Sequence, residues 1–102
     1  MTMIYRKDVY LCSGDKRHIY ELPEAADEEF ASALSVMGTL KKMDLGGGIL
    51  WIVELNNNIR ISFESGDTRL DARFRKKIYQ EKVKQLEDIL KTYFKADIQI
   101  LD

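Results

Sequence analysis

Residues 49–64 read ILWIVELNNNIRISFE, and their pattern decides the fold class. In Ile49–Leu55 only Glu54 is polar, and the content of Ile, Trp and Val with no helix breaker argues for a central strand. Asn56, Asn57 and Asn58 tolerate left-handed backbone and hydrogen-bond to their own chain, so the chain reverses there. Ile59, Ile61 and Phe63 then alternate with Arg60, Ser62 and Glu64, the period-two signature of a strand with one buried face. The stretch is a β-hairpin.

On the N-terminal side, residues 3–12 end in the β-rich run Val9, Tyr10, Leu11, Cys12, and Ser13, Gly14, Asp15 and Lys16 form a turn. Ile19, Tyr20 and Leu22 interleave with His18 and Glu21, so residues 1–22 form either a first hairpin or one strand. Pro23 suits the first position of a helix, and Glu24, Asp27, Glu28 and Glu29 complement its positive end. Ala26, Phe30, Ala33, Leu34, Met37 and Leu40 recur at helical spacing, so helix one fades only by Asp44, with Gly46, Gly47 and Gly48 as a hinge.

Ser65, Gly66, Asp67 and Thr68 form the turn after the central hairpin, with Asp67 or Thr68 placed to cap a long second helix. From Ile78, the residues Tyr79, Val83, Leu86, Ile89, Leu90, Tyr93 and Phe94 share a sector of roughly 160°. Leu70 and Phe74 fall off that stripe. Glu81 with Lys84 and Glu87 with Lys91 read as solvated pairs on its outer face. Ile98 and Ile100 alternate with Asp97 and Gln99 in a closing strand over residues 96–101.

The expectation is one α+β domain over residues 1–102, a two-layer sandwich. Its mostly antiparallel sheet has four or five strands, with two helices on one face. The order ββαββαβ, or βαββαβ if the first hairpin is a single strand, matches a ferredoxin-like arrangement. At 102 residues, 45% of them hydrophobic, the chain is long enough for one core.

Sixteen basic against seventeen acidic residues leave a net charge of -1, so no global field draws in nucleic acid or an anionic membrane. The single cysteine suits a reducing compartment, and no stretch reaches the length of a membrane span, so a cytoplasmic protein is expected.

The reactive inventory is thin. His18 is the only imidazole; beside a turn and among Lys16, Arg17 and Tyr20 it reads as a solvated surface residue. One Cys and one His exclude a zinc site of ordinary spacing. Cys12 lacks the arginine six residues on that a phosphate-binding thiol loop needs: the position holds His18, and Arg17 falls one residue short. The three glycines lie after a helix and before a strand, the reverse of a nucleotide cradle, and the Asp27, Glu28, Glu29 group is accounted for by the helix dipole. No catalytic residue, metal ligand or cofactor is expected.

Two features point to binding instead. Arg69, Arg73, Arg75, Lys76 and Lys77, against Asp67 and Asp71, make a local +3 at the start of the second helix, where the dipole disfavours cations. With Arg60 they form an anion site. Leu50 and Ile52 lie on the sheet face away from the helices, either an apolar patch for self-association or a surface that the first hairpin or the helix-one segment folds across. The sequence therefore suggests a non-catalytic binding or regulatory module acting on another protein or as a homodimer, with phosphate-anion or RNA binding as the alternative. Nucleic acid is the less favoured partner, because the strand beside the patch offers no exposed aromatics.

Overall fold

A computed structural model describes residues 2–101. The chain runs β1 (Met3–Tyr10), β2 (Lys16–Glu21), α1 (Glu28–Leu34), β3 (Thr39–Asp44), β4 (Ile49–Leu55), β5 (Ile59–Glu64), β6 (Arg69–Phe74), α2 (Tyr79–Phe94) and β7 (Asp97–Leu101). All seven strands join one sheet in the order β3-β4-β5-β6-β2-β1-β7. Every neighbouring pair is antiparallel except β1 with β7, which run parallel with Met3 opposite Asp97.

Seven strands and a parallel pair overturn the ferredoxin-like expectation of four or five. The two extra strands come from segments read as helix. Residues 39–44, taken as the tail of helix one, form β3, which folds back on β4 through the glycine loop. There Gly46 has φ 85° and its N–H is accepted by Asp44 Oδ1 at 2.8 Å. Helix one is correspondingly short: Asp27 caps it by accepting from the Phe30 N–H at 3.2 Å, and after Leu34 the chain tightens into a 3-10 turn.

Residues 69–74, taken as the first turns of helix two, form β6, with Leu70, Ala72 and Phe74 buried and Arg69 and Arg73 exposed. Asp67 and Thr68 accordingly belong to a β-turn and cap no helix. The loop before α1 clasps that turn, with Ala26 N–H donating to Asp67 O and Gly66 N–H to Ala26 O, both at 2.8 Å.

Both helices pack on one face of the sheet. Phe30 and Leu34 of α1 and Leu86, Leu90 and Phe94 of α2 join Ile4, Tyr20, Val53, Ile61, Phe63, Leu70 and Phe74 in one hydrophobic cluster. Among the described residues no element covers the other face, so outward positions of adjacent strands lie side by side there. Their registers decide what the protein presents there.

Candidate functional site

Two polar constellations emerge, one under α2 and one on the uncovered face. The first is built by the β1–β2 register, which pairs Arg6 with Tyr20 and Asp8 with His18 on the helix side. Glu87 of α2 and Tyr79 at its start close the group from above. Glu87 Oε2 accepts from Tyr20 Oη at 2.8 Å and from Arg6 Nη1 at 2.9 Å, while Arg6 also forks onto both oxygens of Asp8. His18 Nδ1 lies 2.9 Å from Tyr20 Oη, and its Nε2 lies 2.9 Å from Tyr79 Oη.

Because the Tyr20 proton is committed to Glu87, its oxygen must accept from His18. The network therefore assigns the proton to Nδ1 and leaves Nε2 to accept from Tyr79. His18 is 1% exposed, which corrects the reading of a solvated surface imidazole. Glu87 is likewise no solvated partner of Lys91.

Burial, followed by the nearby Arg6 charge, holds the His18 pKa below its usual value, against the opposing pull of Asp8 and Glu87; Lys16 adds to the depression. For Arg6, burial pulls downward but is outweighed by Asp8 and Glu87, so its pKa is raised. Asp8 shows the mirror case: burial acts upward, and the hydrogen bond from Arg6 with the charges of His18, Arg6 and Lys16 carries it below the usual carboxylate value.

A cleft of about 230 Å³ between the β1–β2 turn and Tyr79 reaches this group, with Asp8 and Lys16 in its wall. Both imidazole nitrogens are already engaged, and burial raises the Tyr79 pKa. The thiol of Cys12 is exposed and lies outside the cleft. The site thus brings an imidazole beside two carboxylates while leaving no activated nucleophile on them. Among the described residues no three His, Cys, Asp or Glu side chains converge to hold a metal.

A pH dependence follows. An imidazole whose folded pKa is depressed is protonated first in the unfolded chain, so stability is lost as pH falls below about 6.5. The loss, at most about 1.4 kcal/mol per pH unit, ends once the folded ring also takes its proton. Urea unfolding between pH 7.5 and 5.5 is expected to show this decline, and His18→Gln to flatten it, since the chain has no second histidine. An equal slope in the variant would assign the decline to other groups.

The second constellation lies on the uncovered face. Arg60 of β5 is the direct cross-strand partner of Arg73 of β6, and Arg73 is in turn that of Arg17 of β2, so three guanidinium groups stand in one row on adjacent strands. In the next row Ser62 is opposite Asp71. Arg17 forks onto Asp71, with Nε to Oδ1 at 3.1 Å, while among the described residues neither Arg60 nor Arg73 has a carboxylate oxygen within 4.0 Å. Arg17, Arg60, Ser62, Asp71 and Arg73 line an open depression of about 260 Å³.

The residues expected from sequence are only partly brought together. Arg60 and Arg73 meet, and Arg17 joins them from outside the expected set. Arg69 sits two rows away, opposite Glu21, and Arg75 turns back so that its Nε donates to Asn57 O at 2.9 Å. Lys76 and Lys77 occupy the 3-10 turn before α2 and line neither depression that Arg60 and Arg73 share.

Leu50 and Ile52 do lie on the uncovered face. Ile52 is only 3% exposed, between Lys41 and Ser62 of the flanking strands, and Leu50 is half-buried, so the pair offers little apolar surface. The Lys41–Glu54 ion pair, at 3.7 Å, stands beside them.

Arg17 was legible only with hindsight of topology, because nothing local places β2 beside β6. Among the described residues no helix is long and apolar enough to cross a membrane. Compared with known proteins, the chain matches no family model, no curated protein and no solved structure.

Proposed function

We propose that the chain is a non-catalytic binding module of the cytoplasm that holds a phosphate group on the uncovered face of its sheet. Arg17, Arg60 and Arg73 are its contacts. The observation that carries this reading is the direct pairing of Arg60 with Arg73. Like charges opposite one another on antiparallel strands sit about 5 Å apart at Cβ and destabilise the pair by several tenths of a kcal/mol. Among the described residues neither guanidinium has a carboxylate oxygen within 4.0 Å, although Glu54 of β4 is the other cross-strand partner of Arg60.

Like charges held opposite one another with no ion pair to either are what a binding site requires, and planar forks suit a tetrahedral oxyanion. Asp71 supports the same reading by holding the Arg17 fork in place. The exposed, unpaired Cys12 supports a reducing compartment.

The test separates binding from scaffolding. Inorganic phosphate titrated at low salt is expected to shift the Nε–H resonances of Arg60 and Arg73, an effect that fades at moderate salt. The double variant Arg60→Thr, Arg73→Thr should lose it while keeping or gaining stability, by up to about 1 kcal/mol, because the repulsion is gone and threonine favours strands. A double variant destabilised by more than about 1 kcal/mol, with no phosphate response in the parent, would make the arginines structural and end the proposal.

A further inference from the structure

Arg60 and Arg73 form a saddle between two depressions. One is the arginine-lined hollow on the sheet face. The other, about 290 Å³, opens at the strand ends, where Asn56, Asn57 and Asn58 turn the chain and Glu54, Asp15 and Arg75 complete the wall. Neither alone reaches the usual size of a small-molecule site, but together they do.

The two hollows differ in chemistry. On the sheet face three arginines stand against Asp71, a local +2. At the strand ends Arg60, Arg73 and Arg75 stand against Asp15 and Glu54, a local +1, and the two carboxylates bring acceptors. The Asn57 and Asn58 side chains make no hydrogen bond within the described residues, although the Asn57 and Asn58 carbonyls hold Arg75. Their amides are free donors and acceptors at the rim.

We infer that, given the phosphate site proposed above, the ligand is a phosphate monoester of a small molecule whose organic body carries hydroxyl or N–H donors. The phosphoryl group sits among Arg17, Arg60 and Arg73, and the body crosses the saddle to lie over the asparagine turn. There Glu54 and Asp15 accept from its donors and the asparagine amides complete the contacts. The same two carboxylates repel a second phosphate, which sets the site against a continuous nucleic-acid backbone.

The experiment titrates the whole chain with inorganic phosphate, adenosine monophosphate, glucose 6-phosphate and a single-stranded oligoribonucleotide, following backbone amide shifts. At least one ester is expected to bind about tenfold or more tighter than inorganic phosphate, as two added hydrogen bonds would give. It should also shift amides of residues 56–58 that phosphate leaves in place.

Asn57→Ala and Asn58→Ala, each at the turn surface, should each weaken that ester about threefold, and the double variant should bring it towards the affinity of inorganic phosphate, without weakening phosphate itself. Phosphate binding at the arginine row with no ester tighter than it overturns this inference and leaves the phosphate site standing. No response to phosphate or to any ester removes the site itself. An oligoribonucleotide that binds tenfold tighter than every ester, with a salt slope of several phosphates, overturns the inference in favour of nucleic acid.

Discussion

Phe30→Ala is expected to cost about 3 to 5 kcal/mol, a large share of the stability of a domain this size. Phe30 is fully buried, and its ring centroid lies 5.3 Å from that of Phe63 on β5, 5.1 Å from Tyr93 and 5.1 Å from Phe94 on α2. One side chain thus joins α1, α2 and the sheet. With only seven residues, α1 is too short to persist in water by its own propensity, so it depends on the face it buries.

Truncation removes the apolar contact and leaves a cavity that three aromatic neighbours cannot close by small rotations. Urea unfolding measures the loss, and near-UV circular dichroism reports the aromatic packing. A cost below about 1 kcal/mol would mean that α1 is held by its clasp to the 65–68 turn rather than by this ring.

How much of this was legible in sequence differs from segment to segment, for physical reasons. The β4–β5 hairpin, α2 from Tyr79 onward and the closing strand carry strong periods and form as read, while the first 22 residues, open in sequence between one strand and a hairpin, form the β1–β2 hairpin. Strand β6 carries its own signal, since Leu70, Ala72 and Phe74 alternate with Arg69, Asp71 and Arg73, a clean period of two. The helical stripe that begins at Ile78 masks that signal when carried back to Thr68, although Leu70 and Phe74 fall off it.

Strand β3 left no comparable signal. As an edge strand its side chains are almost all exposed, so neither face selects apolar residues, and Leu40 fits a helical spacing equally well. The candidate sites follow the same logic. Arg60 and Arg73 stand out in sequence by their charge, but that they are neighbours is a consequence of β5 pairing with β6, and Arg17 enters only because β2 flanks β6 from far along the chain. His18 shares its parity with Tyr20 and Leu22, which marks it as inward-facing. Its charged neighbours Lys16 and Arg17 mask that parity.

The buried polar group yields the other large effect. Glu87→Ala is expected to cost about 2 to 4 kcal/mol, because one carboxylate oxygen serves both Tyr20, which is fully buried, and Arg6, whose side chain is 11% exposed. Removing it strands a buried hydroxyl and half of a guanidinium's partners, while Asp8 alone remains to offset the Arg6 charge. Glu87→Gln keeps an acceptor at nearly the same place and should cost less, so the difference between the two variants isolates the charge.

The second consequence reaches the imidazole. With Glu87 gone, nothing commits the Tyr20 proton outward, so the polarity of the Tyr20–His18–Tyr79 chain is no longer imposed. The carboxylate that favoured the protonated ring is also lost, and the depressed His18 pKa must fall further. In Glu87→Ala the acid-side loss of stability should therefore extend to lower pH than in the parent. If Glu87→Ala and Glu87→Gln prove equally mild and the His18 titration does not move, the group under α2 is a set of independent surface contacts and not a connected network.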